Sequence, residues 1–254
     1  MKLRVSELGA GPPICLLHGL FGAGRNLGVV ARALAPRHRV LLPDLRNHGR
    51  SPHAATMTYA EMAADIRETL AAAGALPAAL LGHSMGGKVA MRLALDDPDA
   101  VTRVLVADIA PIPYPPHFRG PGAAMLALPL VPGLTRVAAS AQLAAAIPDD
   151  ALRAFLLQGL DLADPPVWRI GLAEIMRNLT DIESWDVPPG ARYDGPTLFL
   201  AAGRSDYVTE TARPAIRALF PAARFATLKD AGHWLHADQP AAFNAAATAF
   251  FNPA

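Results

Sequence analysis

The sequence predicts an α/β protein: a mostly parallel sheet flanked by helices, with a helical cap inserted into the core. The first observation is alternation. Short continuous apolar runs such as Ile14-Cys15-Leu16-Leu17 and Val40-Leu41-Leu42 are followed by amphipathic stretches of helical period. Strands buried on both faces of a parallel sheet read as such runs, and right-handed crossover helices join them. The second is a change of pattern from Ile112 to about Tyr193. Prolines 111, 113, 115 and 116 open that stretch, and short helical pieces follow without a strong strand. The third is Gly82-His83-Ser84-Met85-Gly86, set between an apolar run and an amphipathic helix.

Composition bounds the rest. A chain of 254 residues, 52% hydrophobic and 18% charged, has the material for one large core and none of the signature of disorder. A net charge of +1 gives no electrostatic case for nucleic acid or an anionic membrane. Cys15 is the only cysteine, so no intrachain disulfide forms, and its apolar surroundings suit a buried small hydrophobe. The N-terminal residues lack the apolar stretch of a signal peptide, and the most apolar segment, Ala123 to Val131, is broken by Pro129. The expectation is a soluble cytoplasmic protein without a membrane span.

Each element then follows in order. Leu3 to Leu8 alternates as an edge strand, and Gly9 to Pro13 turns into the Ile14–Leu17 strand. The loop His18-Gly19-Leu20-Phe21-Gly22 leads to a helix from Asn26 to about Leu34. Arg39 to Pro43 is a strand, ending in the polar loop Asp44 to Pro52, whose side chains suit loop-bracing hydrogen bonds. Thr58 with Glu61 forms a capping box for a helix to about Ala73. Ala79 to Leu81 leads into the Ser84 turn, and the helix after it ends near Leu95 before Asp96-Asp97-Pro98. Val101 to Ala107 is a buried strand ending at Asp108.

The predicted core is therefore 1–111 and 194–254, with residues 112–193 as the cap. Helical pieces are expected at Ser140–Ile147, Asp149–Gln158 and Pro166–Asn178. Phe118, Met125, Leu128, Phe155, Leu156, Trp168, Met176 and Trp185 are the cap's large apolar residues, and most are expected to pack its own small core. After the cap come a strand at Pro196–Ala201, the turn Gly203-Arg204-Ser205-Asp206 and a helix from Glu210 to Phe220. Arg224–Leu228 is the last strand, followed by Ala231 to His236 and a helix from Pro240 to Phe251.

The chemistry centres on Ser84. A strand that turns straight into a helix forces its turn residue into a strained backbone and lifts the side chain clear of the sheet. Small neighbours are needed there, and Gly82 and Gly86 supply them. The helix starting at Met85 aims free N–H groups at the same spot. A serine nucleophile needs a base, and His233 follows the last strand at the same sheet end. Two carboxylates compete to orient it: Asp206 after the penultimate strand and Asp108 after the strand that follows the Ser84 helix. For the oxyanion, the Met85 N–H pairs with one from the His18 loop, Leu20 ahead of Phe21. His18 itself reads as a loop brace. Phe21, Trp168 and Trp234 are the substrate-contact candidates. His236 lies near His233, but further ligands at metal spacing are lacking, so neither a metal nor another cofactor is expected.

The blocks HGLFGAGRN from His18, DLRNHGRSPH from Asp44, GHSMGGKVAM from Gly82, DIAPIPY from Asp108 and AGHWLH from Ala231 resemble the YbfF-type bacterial esterases and their mitochondrial relatives, within the α/β-hydrolase superfamily. The likeness spans the core on both sides of the cap. It implies the α/β-hydrolase fold and hydrolysis of small to medium acyl esters through an acyl-enzyme, with acyl-CoA thioesters as possible substrates. It also implies Asp108 as the acid, since members often lack an acid at the position of Asp206, whereas this chain has both. The same residues would serve C–C bond hydrolysis or perhydrolysis. A reading outside enzymes is a ligand-binding receptor on a hydrolase scaffold. The partner implied is a small-molecule acyl ester.

Overall fold

The computed structural model describes residues 1–252, so the last two positions of the predicted 194–254 core segment, 253 and 254, lie outside the described residues. Nine strands and eleven α-helices are formed among them. The core strands are β1 (Val5–Leu8), β2 (Pro13–Leu17), β3 (Arg39–Pro43), β4 (Ala78–His83) and β5 (Val101–Ala107), with helices α1 (Gly28–Leu34), α2 (Tyr59–Ala72) and α3 (Met85–Asp96) between them. The segment 112–193 carries α4 (Arg119–Ala127), α5 (Arg136–Leu143), α6 (Asp150–Leu156), the short strands β6 (Leu160–Asp161) and β7 (Val167–Trp168), α7 (Leu172–Arg177) and α8 (Leu179–Glu183). The core resumes with β8 (Thr197–Ala202), α9 (Arg213–Leu219), β9 (Ala223–Leu228), α10 (Leu235–Asp238) and α11 (Pro240–Phe251).

Seven strands form one sheet in the order β1-β3-β2-β4-β5-β8-β9. Only the β1–β3 pairing is antiparallel. The period of two along each strand splits the core. Cys15, Leu17, Leu80, Val104 and Val106 face one side, where α2 and α3 bring Met62, Ile66, Val89 and Leu93. Ile14, Leu16, Leu81, Leu105 and Leu200 face the other, against Val30 and Leu34 of α1 and Phe243 and Phe251 of α11. Met125, Leu143 and Ile175 of the 112–193 segment join the first cluster, so that segment lies over the α2–α3 side. No described helix is long and apolar enough to cross a membrane.

The capping box forms: the Glu61 N–H donates to Thr58 Oγ1 at 3.3 Å and the Thr58 N–H donates to Glu61 Oε2 at 3.0 Å. Two expectations need correction, and one helix is unexpected. Helix α5 begins at Arg136 rather than Ser140, because Thr135 caps it by accepting from the Ala138 N–H. The Pro166–Asn178 helix is not formed. Val167 and Trp168 instead pair with Asp161 and Leu160 across a turn at Asp164-Pro165-Pro166, and helix starts only at Leu172. The prolines do not forbid a helix, since its first turn needs no N–H; the extended pairing of Val167 and Trp168 with Asp161 and Leu160 takes the place of its start. Helix α4 has no sequence forecast. Its Pro121 lies in the first turn, where a missing N–H costs nothing.

Lys88 on α3 is buried, with no carboxylate partner among the described residues. Its Nζ donates to the Ser184 carbonyl at 2.8 Å and lies 4.9 Å from the Tyr114 ring centre and 5.3 Å from that of Tyr59. Burial pushes the ammonium from its ordinary 10.5 down to about 7. Between those pH values the unfolded chain holds a proton that the folded chain has lost, so stability rises with pH across that window. From pH 7 to pH 9 this one group contributes a rise of about 2 kcal/mol. Lys88→Met removes it. Urea denaturation at the two pH values should show the variant losing its advantage over the wild type as pH rises. An unchanged stability difference would contradict the buried-cation account.

Candidate active site

Ser84 follows the last residue of β4 and precedes the first of α3, with φ 53 and ψ −123. A non-glycine residue adopts that backbone only when its surroundings hold it there. They do: the Ser84 N–H donates to the Ala107 carbonyl at 3.0 Å, and its carbonyl accepts from Gly87 at 2.8 Å. The flanking glycines are required by close approach. A Cβ on Gly82 would sit 2.2 Å from the Gly86 carbonyl oxygen, and one on Gly86 would sit 2.3 Å from that of Leu17. The second contact presses the start of α3 against the end of β2, which brings the His18–Gly22 loop beside Ser84.

His233 and Asp108 complete a hydrogen-bonded chain. Ser84 Oγ lies 3.0 Å from His233 Nε2, and His233 Nδ1 lies 2.8 Å from Asp108 Oδ2. An ionised carboxylate only accepts, so Nδ1 carries the proton and Nε2 offers its lone pair to the serine hydroxyl. Asp108 is fully buried with φ 52. Its Oδ1 accepts from the Ala202 N–H at 2.9 Å, and its Oδ2 also accepts from Ser205 Oγ at 2.5 Å. Because β5 pairs with β8, the end of β8 supplies these donors. Asp206 is not brought to the histidine nitrogen. It is exposed, beyond the turn after β8, on the wall of an outer cleft that His233 also borders. Ser205 and Tyr207, on either side of it, are site residues that sequence reasoning missed; a polar turn gives no sign of which side chains point inward.

Leu20 and Met85 line the same cavity as Ser84. Met85 is the first residue of α3, whose N–H has no acceptor within the helix. The Leu20 N–H has no intramolecular acceptor among the described residues. Phe21 does not offer its own: its N–H donates to His48 Nε2 at 3.0 Å, and its φ is 61. His48 Nδ1 in turn donates to the Arg46 carbonyl at 2.9 Å. His18 ties the same loops together, with Nδ1 2.8 Å from the Gly19 carbonyl and Nε2 accepting from the Leu45 N–H at 3.0 Å. Burial pushes His18 down to about 4 and His48 down to about 3, so both stay neutral braces. Burial also holds His83 well below the usual imidazole range, and its Nε2 donates to the His233 carbonyl at 2.7 Å. Asp44 braces the loops from below, accepting from the N–H groups of Gly24 and Arg50 at 2.8 and 2.9 Å.

Two cavities meet at Ser84, with Leu20 and Phe118 shared by both walls. One, about 410 Å³, is lined by Asn26, His83, Phe155, His233, Trp234 and His236. The other, about 450 Å³, is lined by Tyr59, Met85, Lys88, Ile109, Tyr114, Leu179, Ile182 and Tyr207. Trp234 is thus at the site. Phe21 and Trp168 line neither cavity. Phe21 is buried behind Phe118, ring centres 5.7 Å apart, because its backbone N–H is pinned to His48. Trp168 is held in β7, its Nε1 donating to the Met125 carbonyl at 3.2 Å. Of the eight large apolar residues of 112–193, Met125, Leu128 and Leu156 are buried, in one cluster with core residues, whereas Phe118 and Phe155 line the cavities. No group of three or more His, Cys, Asp or Glu side chains among the described residues is arranged to hold a metal ion.

Comparison with known proteins agrees with this architecture. Residues 12–240 match the α/β-hydrolase fold family. The mouse sn-1-specific diacylglycerol lipase ABHD11 is 41% identical over 250 residues, covering 94% of this chain and 80% of that protein. Esterase YbfF of Escherichia coli is 37% identical over 94% of this chain and 93% of its own length. The solved structure of a marine microorganism esterase superposes with a TM-score of 0.94 at 36% identity, covering 98% of this chain and 99% of the other. The chain belongs to the α/β-hydrolase family.

Proposed function

We propose that the protein is a carboxylic ester hydrolase that cleaves small to medium acyl esters through an acyl-enzyme on Ser84. The observation that carries this reading is the unbroken chain from Ser84 Oγ through His233 to Asp108. The relatives named as esterase and lipase support it.

In the proposed mechanism, Ser84 Oγ attacks the acyl carbonyl carbon while His233 Nε2 takes the hydroxyl proton. The carbonyl oxygen becomes an oxyanion held by the N–H groups of Leu20 and Met85. Asp108 stays ionised and holds the charged imidazole in place. Collapse expels the alcohol oxygen, which receives the proton from Nε2, and leaves the acyl group on Ser84. Water then enters, Nε2 takes one of its protons, and a second tetrahedral intermediate releases the acid and restores the serine. The largely apolar cavity lined by Tyr59, Ile109 and Leu179 suits the acyl group, and the cavity bordered by Trp234 and Phe155 suits the alcohol. Residues 112–193 act as a cap subdomain over a core of 1–111 and 194–254; Phe118, Phe155, Leu179 and Ile182 are among its contributions to the cavity walls. A reducing, cytoplasmic setting suits a chain whose sole cysteine is buried.

Steady-state hydrolysis of p-nitrophenyl esters from acetate upward tests the reading. The expected result is turnover with kcat/KM greatest at short to medium acyl groups and falling for long ones. No turnover on any ester would overturn it.

A further inference from the structure

The turn after β8 does more than supply Ser205 to Asp108. Tyr207 lays its ring against the His233 imidazole, with ring centres 4.3 Å apart and planes 28° from parallel. No other aromatic ring meets His233 so nearly face to face: His83 lies tilted at 4.8 Å and Trp234 edge-on at 5.7 Å. The residue that carries the stacked ring is held through its backbone on both sides. Its backbone N–H donates to Ser205 Oγ at 3.4 Å, and that hydroxyl donates to Asp108. Its carbonyl accepts from Tyr114 Oη at 2.5 Å, and Tyr114 Oη accepts from the Ala110 N–H at 2.9 Å. Ala110 lies just beyond Asp108, so the acid, the base and the stacked ring are referred to one short stretch of chain. Tyr207 also borders both the cavity lined by Tyr59 and the outer cleft, as do Tyr114, Pro115 and His117.

We infer that Tyr207 is a positioning residue for the base: its ring fixes the plane of the His233 imidazole and stabilises the imidazolium that forms when Ser84 gives up its proton. The inference rests on the ester-hydrolase reading above. A tyrosine face carries negative potential, so it attracts a cation stacked on it, and it favours the charged imidazole over the neutral one. The neutral imidazole gains less, so the contact strengthens in the transition state and acts on kcat. The other groups facing His233 are Asp108 at its Nδ1, His83 from β4 and His236 from α10. Across the outer cleft stand Arg204, Asp206 and His117. Burial holds His83 and His236 below the usual imidazole range, which leaves them uncharged beside the base.

The test compares Tyr207→Phe and Tyr207→Leu on a short p-nitrophenyl ester across pH. Phenylalanine keeps the π face, so Tyr207→Phe should turn over within roughly twofold of the wild type. Leucine keeps an apolar side chain but not the π face, so kcat should fall by about three- to tenfold. The acid limb of the rate profile should also move to lower pH by roughly half a unit to one unit, because the imidazolium has lost a stabilising partner. Wild-type kcat in Tyr207→Leu would overturn the inference. So would a fall in kcat with an unmoved acid limb, or equal damage in both variants. Failure of the esterase reading looks different: the wild type itself would be silent, or Ser84→Ala would remain active.

Discussion

Ser84→Ala should lower kcat for p-nitrophenyl ester hydrolysis by on the order of 10⁴ or more, with KM little changed. Alanine removes only the oxygen that forms the acyl bond. The residual rate then comes from the Leu20 and Met85 N–H groups acting on a bound ester attacked by water. The fold should be unaffected, because the backbone bonds that hold residue 84, to Ala107 and from Gly87, do not involve its side chain. Turnover near the wild-type value would mean that the nucleophile lies elsewhere.

The two acids should separate sharply. Asp108→Asn should cost on the order of 10² to 10⁴ in kcat. An amide in place of the carboxylate turns a donor toward His233 Nδ1 or leaves the developing imidazolium without a counter-charge. It also disturbs the Ala202 and Ser205 donors, which now serve two acceptor oxygens. Asp206→Asn should leave kcat within roughly twofold, as substitutions on an exposed surface usually do. Rates for the two variants on one ester decide the matter. A severe loss in Asp206→Asn with a mild one in Asp108→Asn would reverse the assignment and require a large movement of the turn after β8.

The reason sequence left that choice open is geometric. Ser84 is legible because a strand, two obligatory glycines and a helix must coincide there, and each leaves a mark: an apolar run, Gly82 with Gly86, and an amphipathic repeat. His233 is legible from its place after the last core strand. The acid depends on which way the imidazole is turned, and two strand ends lie within reach of it. Nothing in the local pattern around Asp108 or Asp206 records that the Asp108 backbone is at φ 52 and that β8 donates to its carboxylate. Leu20 could be preferred over Phe21 from position alone, while the contact that occupies the Phe21 N–H comes from His48, 27 residues away.

The sheet was more legible than the cap for the same reason. Buried parallel strands carry their environment in their composition, so β2, β3, β4, β5 and β8 stand out. The cap elements are short and take their shape from neighbours. The strands β6 and β7 have two residues each, too few for a period. Helix α4 begins Arg119-Gly120-Pro121-Gly122, which reads as a loop; Gly122 is small because Met176 of α7 packs against it. Trp168 and Phe21 illustrate the same limit: both are large and apolar, but neither lines a cavity, and their hydrogen-bond partners, the Met125 carbonyl and the His48 ring, lie far from them in sequence.

The most direct test of the central claim is to trap the acyl-enzyme. The wild type is mixed with excess p-nitrophenyl acetate, quenched in acid within the first turnovers, and measured as intact protein and as peptides. The account predicts a mass gain of one acetyl group, carried by the peptide that contains Ser84 and missing in Ser84→Ala. An acetyl group on another residue, or steady ester hydrolysis in which no covalent adduct forms even under conditions that slow deacylation, would contradict it.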